Sequence, residues 1–328
     1  MQKKAVVLLS GGLDSTLAAC IIKEQGIEVE AVNFQTIFGC CKDDAGAVAR
    51  SLGIGYTTLK VGDDYLKLVQ KPKFGYGRGM NPCIDCRGYM FDMAKKFMDQ
   101  IGASFLISGE VLGQRPMSQK KRDFVRIEAE TGLAGLIVRP LSAKRLPPTE
   151  PEKQGILDRE KLYGIQGRSR SQLMVLARKY GIQNPPQPST GCALTSPEFS
   201  KKVEDVFVHH PDYERWEFEV LRIGRHFRID ADTKVIVSKN EQQNTFLEAL
   251  DKSGTFILKC ENFGGPSALV RGERTDERVR KAVSIMLRYA KKPLPEVCRV
   301  LIGDQGEEIL FPTAETADEK TLEDFRVV

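Results

Sequence analysis

Two constellations in this 328-residue chain carry side chains at spacings suited to chemistry. The first is Ser10-Gly11-Gly12-Leu13-Asp14-Ser15, directly after the apolar run Ala5–Leu9 and ahead of Leu17, Ala18 and Ile21 at helical spacing. Two glycines let a backbone turn tightly and approach an anion, and Ser15 is placed to cap a helix whose first amides would face that anion. The pattern predicts a pyrophosphate cradle on a strand–turn–helix unit. No Gly-Lys-Ser/Thr ending follows, which removes the Walker cradle and the usual phosphate-transfer reading. The second constellation is a set of thiols: Cys83 and Cys86 in Asn81-Pro82-Cys83-Ile84-Asp85-Cys86, and Cys192 closing Pro188-Ser189-Thr190-Gly191-Cys192. Eight cysteines are too sparse for a disulfide scaffold in a chain this long, so a Cys-x-x-Cys in a reducing compartment points to metal or redox chemistry. Cys20, Cys260 and Cys298 read as buried small hydrophobes.

These groups need a frame. Short β-branched runs alternate with helical stretches along the first hundred residues: Ala5–Leu9, Ser15–Glu24, Val29–Phe34, Asp43–Leu52, Tyr56–Lys60, Arg87–Ile101 and Phe105–Ser108. That rhythm predicts an α/β fold with a Rossmann-like, mostly parallel sheet. Ligands bind at the carboxyl ends of such strands, which places the site at Ser10, Phe34 and Ser108. From Gly113 the periodicity weakens and prolines interrupt it, although Ser169–Tyr180 keeps helical spacing. After about Ser200 come strand candidates Lys234–Ser238, Thr255–Cys260 and Ala268–Arg271, then a helix Asp276–Lys291. Three domains are expected: 1–112 for the nucleotide, 113–199 as a mainly helical insert, and 200–328 as an α+β module.

Composition sets outer bounds. At 41% hydrophobic residues the chain can bury real cores. No apolar run approaches the ~18 residues of a membrane span, so a cytoplasmic protein without a membrane partner is expected. The net charge of +5 is uneven: 15 Lys and Arg stand against 7 acidic residues between Arg115 and Lys179, 15 against 9 between Arg222 and Lys292, and 3 against 9 from Pro293 onward. Two basic segments of this kind suit a polyanionic partner.

The loop resembles the Ser-Gly-Gly-x-Asp-Ser loop of the ATP pyrophosphatases, which split ATP into AMP and pyrophosphate and have the adenine nucleotide α-hydrolase fold. The two cysteine motifs resemble those of the bacterial tRNA 2-thiouridylases, over roughly Ala5–Thr195. That resemblance implies an ATP-dependent tRNA sulfurtransferase that adenylates a uracil carbonyl and replaces its oxygen with sulfur. It implies ATP contacts at Ser10, Gly11, Gly12, Asp14, Ser15, Phe34 and Gly109, with Asp14 helping to hold Mg2+, and Cys86 with Cys192 as the sulfur-handling pair. It implies tRNA as a partner, together with a sulfur donor: a cysteine desulfurase, a sulfur carrier or inorganic sulfide.

The chain departs from that family at three points. The motif's aspartate is Cys83, the Ser-Thr-Gly segment runs straight into its cysteine, and the family's C-terminal barrel is not recognisable after Thr195. With Cys83 added, Cys83, Cys86 and Cys192 are the ligand set of a [4Fe–4S] cluster with one open iron, as in the cluster-dependent tRNA thiolation enzymes that this pattern resembles. Two further readings stay open: structural zinc with Cys40 or Cys41 as fourth ligand, and a Cys86–Cys192 persulfide and disulfide pair favoured by a helix N-terminus near Arg87. For RNA phosphates the insert offers Lys120, Lys121, Arg122, Lys144, Arg145, Arg168, Arg170, Arg178 and Lys179. The C-terminal module offers Arg222, Arg225, Arg228, Arg271, Arg274 and Arg278, and Phe263–Arg274 resembles small RNA-binding domains. A ligase adenylating a carboxylate or another nucleobase would share Ser10–Ser15 without needing Cys192. A non-catalytic RNA-binding adaptor would need neither Asp14 nor Ser15.

Overall fold

The structure, a computed structural model, describes residues 2–39, 44–185, 192–250, 252–303 and 306–327, and divides into two compact units, Met1–Thr195 and Ser196–Val328. In the first unit the chain runs β1 (Lys4–Leu8), α1 (Leu13–Lys23), β2 (Glu28–Gln35), α2 (Ala45–Leu52), β3 (Gly55–Lys60), α3 (Asp64–Gln70), α4 (Cys83–Gln100), β4 (Phe105–Ser108), α5 (Lys121–Thr131), β5 (Ile137–Val138), α6 (Glu150–Lys153) and α7 (Ser171–Lys179). The five strands pair in parallel in the order β3-β2-β1-β4-β5, the Rossmann-like sheet that the sequence rhythm predicts.

Alternation along β1 divides the core into two layers. Ala5 and Val7 pack with α1 and α7 residues such as Leu17, Ile21 and Leu173, while Val6 and Leu8 pack with α4 and α5 residues such as Phe91, Ala94 and Ile127. Strands buried on both faces read as continuous apolar runs, which is why β1 and β4 are legible in sequence. Residues 113–195 belong to this first unit: β5 extends its sheet, α5 packs on α4, and α7 packs on α1. The strand order reverses direction beside β1, between the β2 side and the β4 side. In open α/β sheets that switch point opens a crevice at the strands' carboxyl ends.

The second unit comprises α8 (Pro197–His209), α9 (Arg215–Glu219), β6 (Arg225–Arg228), β7 (Lys234–Val237), α10 (Glu241–Glu248), β8 (Thr255–Cys260), β9 (Ala268–Arg271), α11 (Asp276–Leu287), β10 (Val297–Ile302), β11 (Glu307–Pro312) and α12 (Glu319–Phe325). Its antiparallel sheet has the order β11-β10-β8-β9-β7-β6, an α+β module as predicted. Val235, Val237 and Val270 face α11 and α12, whereas Ile236 and Leu269 face Trp216 and Leu247 of α9 and α10. Beyond β6, Phe227 bridges Arg326 and the Val327 amide donates to the His226 carbonyl at 3.0 Å.

Arginines assigned to RNA from the sequence are engaged inside this unit. Arg228 makes a bidentate pair with Asp205 at 2.9 and 2.8 Å, Arg278 pairs with Asp230 at 3.0 Å, Arg271 pairs with Glu217, and Arg274 with Glu307. His210 is buried at 3% exposure with Nδ1 2.8 Å from Glu217. Asp205 also meets the buried Lys234 ammonium at 2.7 Å. Burial alone would raise the Asp205 carboxyl, but the Arg228 hydrogen bonds and the Lys234 charge outweigh it and hold it well below the ordinary carboxylate range. A carboxyl depressed in the folded state contributes stability that is full above its unfolded value of about 4 and is lost as pH falls below it. Asp205→Ala leaves Lys234 buried without its counter-charge and is expected to destabilise by about 3–5 kcal/mol at pH 7. Urea unfolding followed by Trp216 fluorescence measures this, and a loss under about 1 kcal/mol would refute the pairing as a stability element.

Candidate functional site

The loop after β1 is built from backbone geometry that only its glycines permit. Gly11 has φ +72°, and a Cβ there would stand 2.9 Å from the Ala45 amide nitrogen. Gly12, in extended conformation, is the N-cap of α1. Ser15, expected as the cap, instead lies inside the first turn. Its hydroxyl donates to the Gly12 carbonyl at 3.0 Å and accepts from the Ser10 amide at 3.2 Å, closing the loop on itself. Opposite, Gly109 follows β4 so closely that a Cβ would meet the Ser15 nitrogen at 2.5 Å and the Asp14 carbonyl carbon at 2.6 Å.

One pocket results at the carboxyl ends of β1, β2 and β4. Ser10, Asp14, Ser15, Phe34, Ser108 and Gly109 line it, and Gly11 and Gly12 form the turn beside it. The sequence reading missed Arg87, Glu110, Gln114, Arg115 and Gln119, which line the same pocket. Gln114 donates to Asp14 Oδ2 at 2.9 Å. Burial pushes the Asp14 carboxyl up, against this hydrogen bond and the charges of Arg170 and Arg115. Glu110, at 2% exposure, accepts from Arg139 at 3.1 Å and pairs with Arg87 at 3.5 Å. A buried carboxylate between two guanidiniums fixes Arg87 against the pocket.

The thiols flank this pocket. Helix α4 begins at Cys83 rather than at Arg87, because Pro82 serves as its N-cap and the Cys86 amide donates to the Pro82 carbonyl at 2.8 Å. Cys83 and Cys86 therefore occupy the first turn. The Tyr65 hydroxyl, from α3, donates to Cys86 Sγ at 3.2 Å. Burial raises the Cys83 thiol, against the charges of Arg87 and Arg115 and a hydrogen bond with Asn81. Asp85 accepts from the Lys73 and Phe74 amides at 2.8 and 3.2 Å and anchors the loop preceding the motif. Cys192 is brought to this region by a backbone bond: the Met80 amide donates to the Leu194 carbonyl at 3.1 Å. Pro188–Gly191, with Cys40 and Cys41, lie outside the described residues.

No three His, Cys, Asp or Glu side chains among the described residues stand together as a metal-holding group. Among the described residues Cys83, Cys86 and Cys192 thus do not form the three-thiolate set expected of them. Each of the two helical thiols has its own local partner, Asn81 for Cys83 and Tyr65 for Cys86. Among the described residues no helix is long and apolar enough to cross a membrane.

Residues 3–128 match the tRNA methyl transferase HUP domain family, and residues 224–326 match the NFACT protein RNA binding domain family. The chain is 36% identical over 128 residues to the tRNA-specific 2-thiouridylase MnmA of Caldicellulosiruptor saccharolyticus, covering 33% of this chain and 36% of that protein. It is 34% identical over 147 residues to MnmA of Clostridium kluyveri, covering 38% and 41%. The chain spans between a third and two fifths of the length of these curated relatives. Among solved structures, a 4-thiouridine synthetase–RNA complex with bound ATP aligns at 22% identity and TM-score 0.39, covering 66% of this chain and 53% of that one. A predicted tRNA methyltransferase subunit from Methanocaldococcus jannaschii aligns at 16% identity and TM-score 0.35, covering 55% and 76%. The N-terminal segment is thus similar to the HUP domain of that family and to part of the tRNA 2-thiouridylases.

Proposed function

We propose that this protein is an ATP-dependent tRNA thiouridine synthase, in which the first unit activates and thiolates a uracil and the second binds RNA. One observation supports this above the others: Arg87 lines the nucleotide pocket and follows Cys86 directly in the first turn of α4, so the pocket and the thiols are contiguous.

A uracil carbonyl is a poor electrophile. Its oxygen attacks the α-phosphorus of ATP, forming one O–P bond while the bond to the pyrophosphate oxygen breaks, and the carbonyl oxygen becomes part of an AMP leaving group. Loop amides at the N-terminus of α1 face the phosphates and oppose the charge developing on pyrophosphate. Asp14 presents an oxygen ligand of the kind Mg2+ takes, and the ion would neutralise phosphate charge when bound. Sulfur then arrives as the outer atom of a cysteine persulfide, bonds to the activated carbon, and AMP leaves. The second thiol attacks the inner sulfur and breaks its bond to the outer one, which leaves with the base as thiouridine, and the Cys86–Cys192 disulfide so formed is reopened by a dithiol reductant. The hydrogen bond from Tyr65 stabilises a thiolate at Cys86. A [4Fe–4S] cluster on Cys83, Cys86 and Cys192 is the alternative reading, although among the described residues no three such side chains stand together.

The direct test incubates the protein with ATP, Mg2+, a persulfide donor and unmodified tRNA, and follows AMP by chromatography and thiouridine by nucleoside mass spectrometry. Both products are expected, at equal stoichiometry. AMP released with ammonia and a carboxylate, but not with tRNA, would establish a ligase instead.

A further inference from the structure

We propose that Arg170 binds the pyrophosphate moiety of the nucleotide, supplying the cation that the Ser10–Ser15 loop lacks. The inference rests on the pyrophosphatase reading above and names one residue of its chemistry.

The loop between β1 and α1 holds no lysine or arginine, in contrast to Walker-type loops whose lysine reaches the β- and γ-phosphates. From the loop itself only amides and hydroxyls then face a triphosphate that becomes a free pyrophosphate as the α-phosphorus bond breaks. Such sites place fixed cations where that charge develops. Composition groups Arg170 with the basic residues of segment 113–199, as one more candidate for RNA phosphates. The fold places it elsewhere. Gln166 forms a parallel bridge with Leu112, the Gly167 amide donates to the Leu112 carbonyl at 2.8 Å, and Gly113 and Gly167, both at positive φ, bring the two backbones together. Leu112 itself donates to the Ser142 hydroxyl at 2.9 Å. The segment bearing Arg170 is thereby tied to the same loop that carries Gln114, whose amide holds Asp14.

From the other side, α7 starts at Ser171 and packs along α1, the helix whose N-terminus is the phosphate loop. Arg170 is the N-cap residue of α7, half-buried, and its charge acts on the Asp14 carboxylate. Arg168, two residues earlier, is exposed. Arg87 and Arg115 line the pocket itself, with Arg87 paired to Glu110, and Arg170 adds a further positive charge that acts on Asp14 from the start of α7, the helix packed along α1.

The experiment measures inorganic pyrophosphate binding and AMP binding separately by calorimetry with Mg2+ present, together with tRNA-dependent ATP–pyrophosphate exchange. Arg170→Ala is expected to weaken pyrophosphate at least tenfold and to slow exchange about 10²-fold, with AMP affinity within twofold of wild type. Arg170→Lys should restore most of both, and Lys161→Ala, an exposed cation on the same segment, should change neither. The slope of tRNA affinity against salt should stay as in wild type. Unchanged pyrophosphate affinity with a salt slope lowered by roughly 0.7 to 0.9 would make Arg170 an RNA contact and overturn the proposal. Equal losses of AMP and pyrophosphate would reduce it to a prop for Asp14 and would also overturn it. Wild-type protein that binds both ligands but shows no tRNA-dependent exchange would sink the thiolation reading while leaving the Arg170 result to stand on the binding data.

Discussion

Replacing Cys86 or Cys192 by Ala is expected to abolish thiouridine formation, a fall of at least about 10³-fold, while tRNA-dependent AMP release continues. The two chemical steps use different atoms. Adenylation needs the loop at the start of α1, whereas the thiols stand at the start of α4 and beside Leu194. Because the pair acts as a unit, the double variant should be no worse than either single one. Cys83→Ala separates the remaining readings. In a persulfide pair it stays active, since burial raises the Cys83 thiol and opposes a thiolate there. In a cluster enzyme it loses activity and bound iron together. Iron content after anaerobic purification, measured beside thiouridine yield, decides between them. Loss of AMP release in Cys86→Ala would show that adenylation and sulfur transfer are not separable as drawn.

Gly109→Ala is expected to remove the first step as well. A methyl group there would overlap the backbone of Asp14 and Ser15, at 2.5 to 2.6 Å, and backbone atoms cannot swing aside as a side chain can. The phosphate loop must shift, and a displacement near 1 Å in a site that positions reactants costs about 10²-fold. AMP release should fall by that factor or more, and thiouridine with it, while circular dichroism and tRNA binding are retained. Adenylation within a few-fold of wild type would mean that β4 and α1 separate more freely than their packing shows.

How much of this was legible beforehand follows from periodicity. β1 and β4 are buried on both faces, so their sequences are nearly continuous apolar runs, β2 shows as Val29, Ala31, Val32 and Phe34 between polar residues, and the loop at Ser10–Ser15 is recognisable because its glycines and polar residues sit in a strand–turn–helix context. Helix α3 has only seven residues, too few to show a period, and with it Tyr65 and its bond to Cys86 went unread. The start of α4 was placed at Arg87 because Pro82 and two cysteines look like a loop, yet a proline at the cap position leaves the next residue free to begin the helix. Glu110, Gln114 and Gln119 are single polar residues after a strand, and what marks them is convergence in space, which spacing does not encode. In the second unit β10 alternates exposed and buried positions between Pro293 and Pro295 on one side and Gly303 and Gly306 on the other, signals that the sequence holds and the reading passed over. The paired arginines were misassigned for another reason: a count of charges cannot tell a guanidinium on a buried aspartate from one facing solvent.

The two ends of the six-stranded sheet bear on how this unit behaves when crowded. An open sheet edge offers unpaired backbone groups to any passing strand, and copies of one protein are the nearest supply. Beside β6 the bridge from Phe227 to Arg326 and the bond from Val327 occupy that row. At the far edge β11 carries Glu307 and Glu308 and ends at Pro312, which has no amide hydrogen to donate. Charged side chains and a proline at one border, and a row already occupied at the other, discourage strand exchange and fibre growth at both. A chain cut before Arg326 would keep its core, lose the cover on β6 and self-associate more readily.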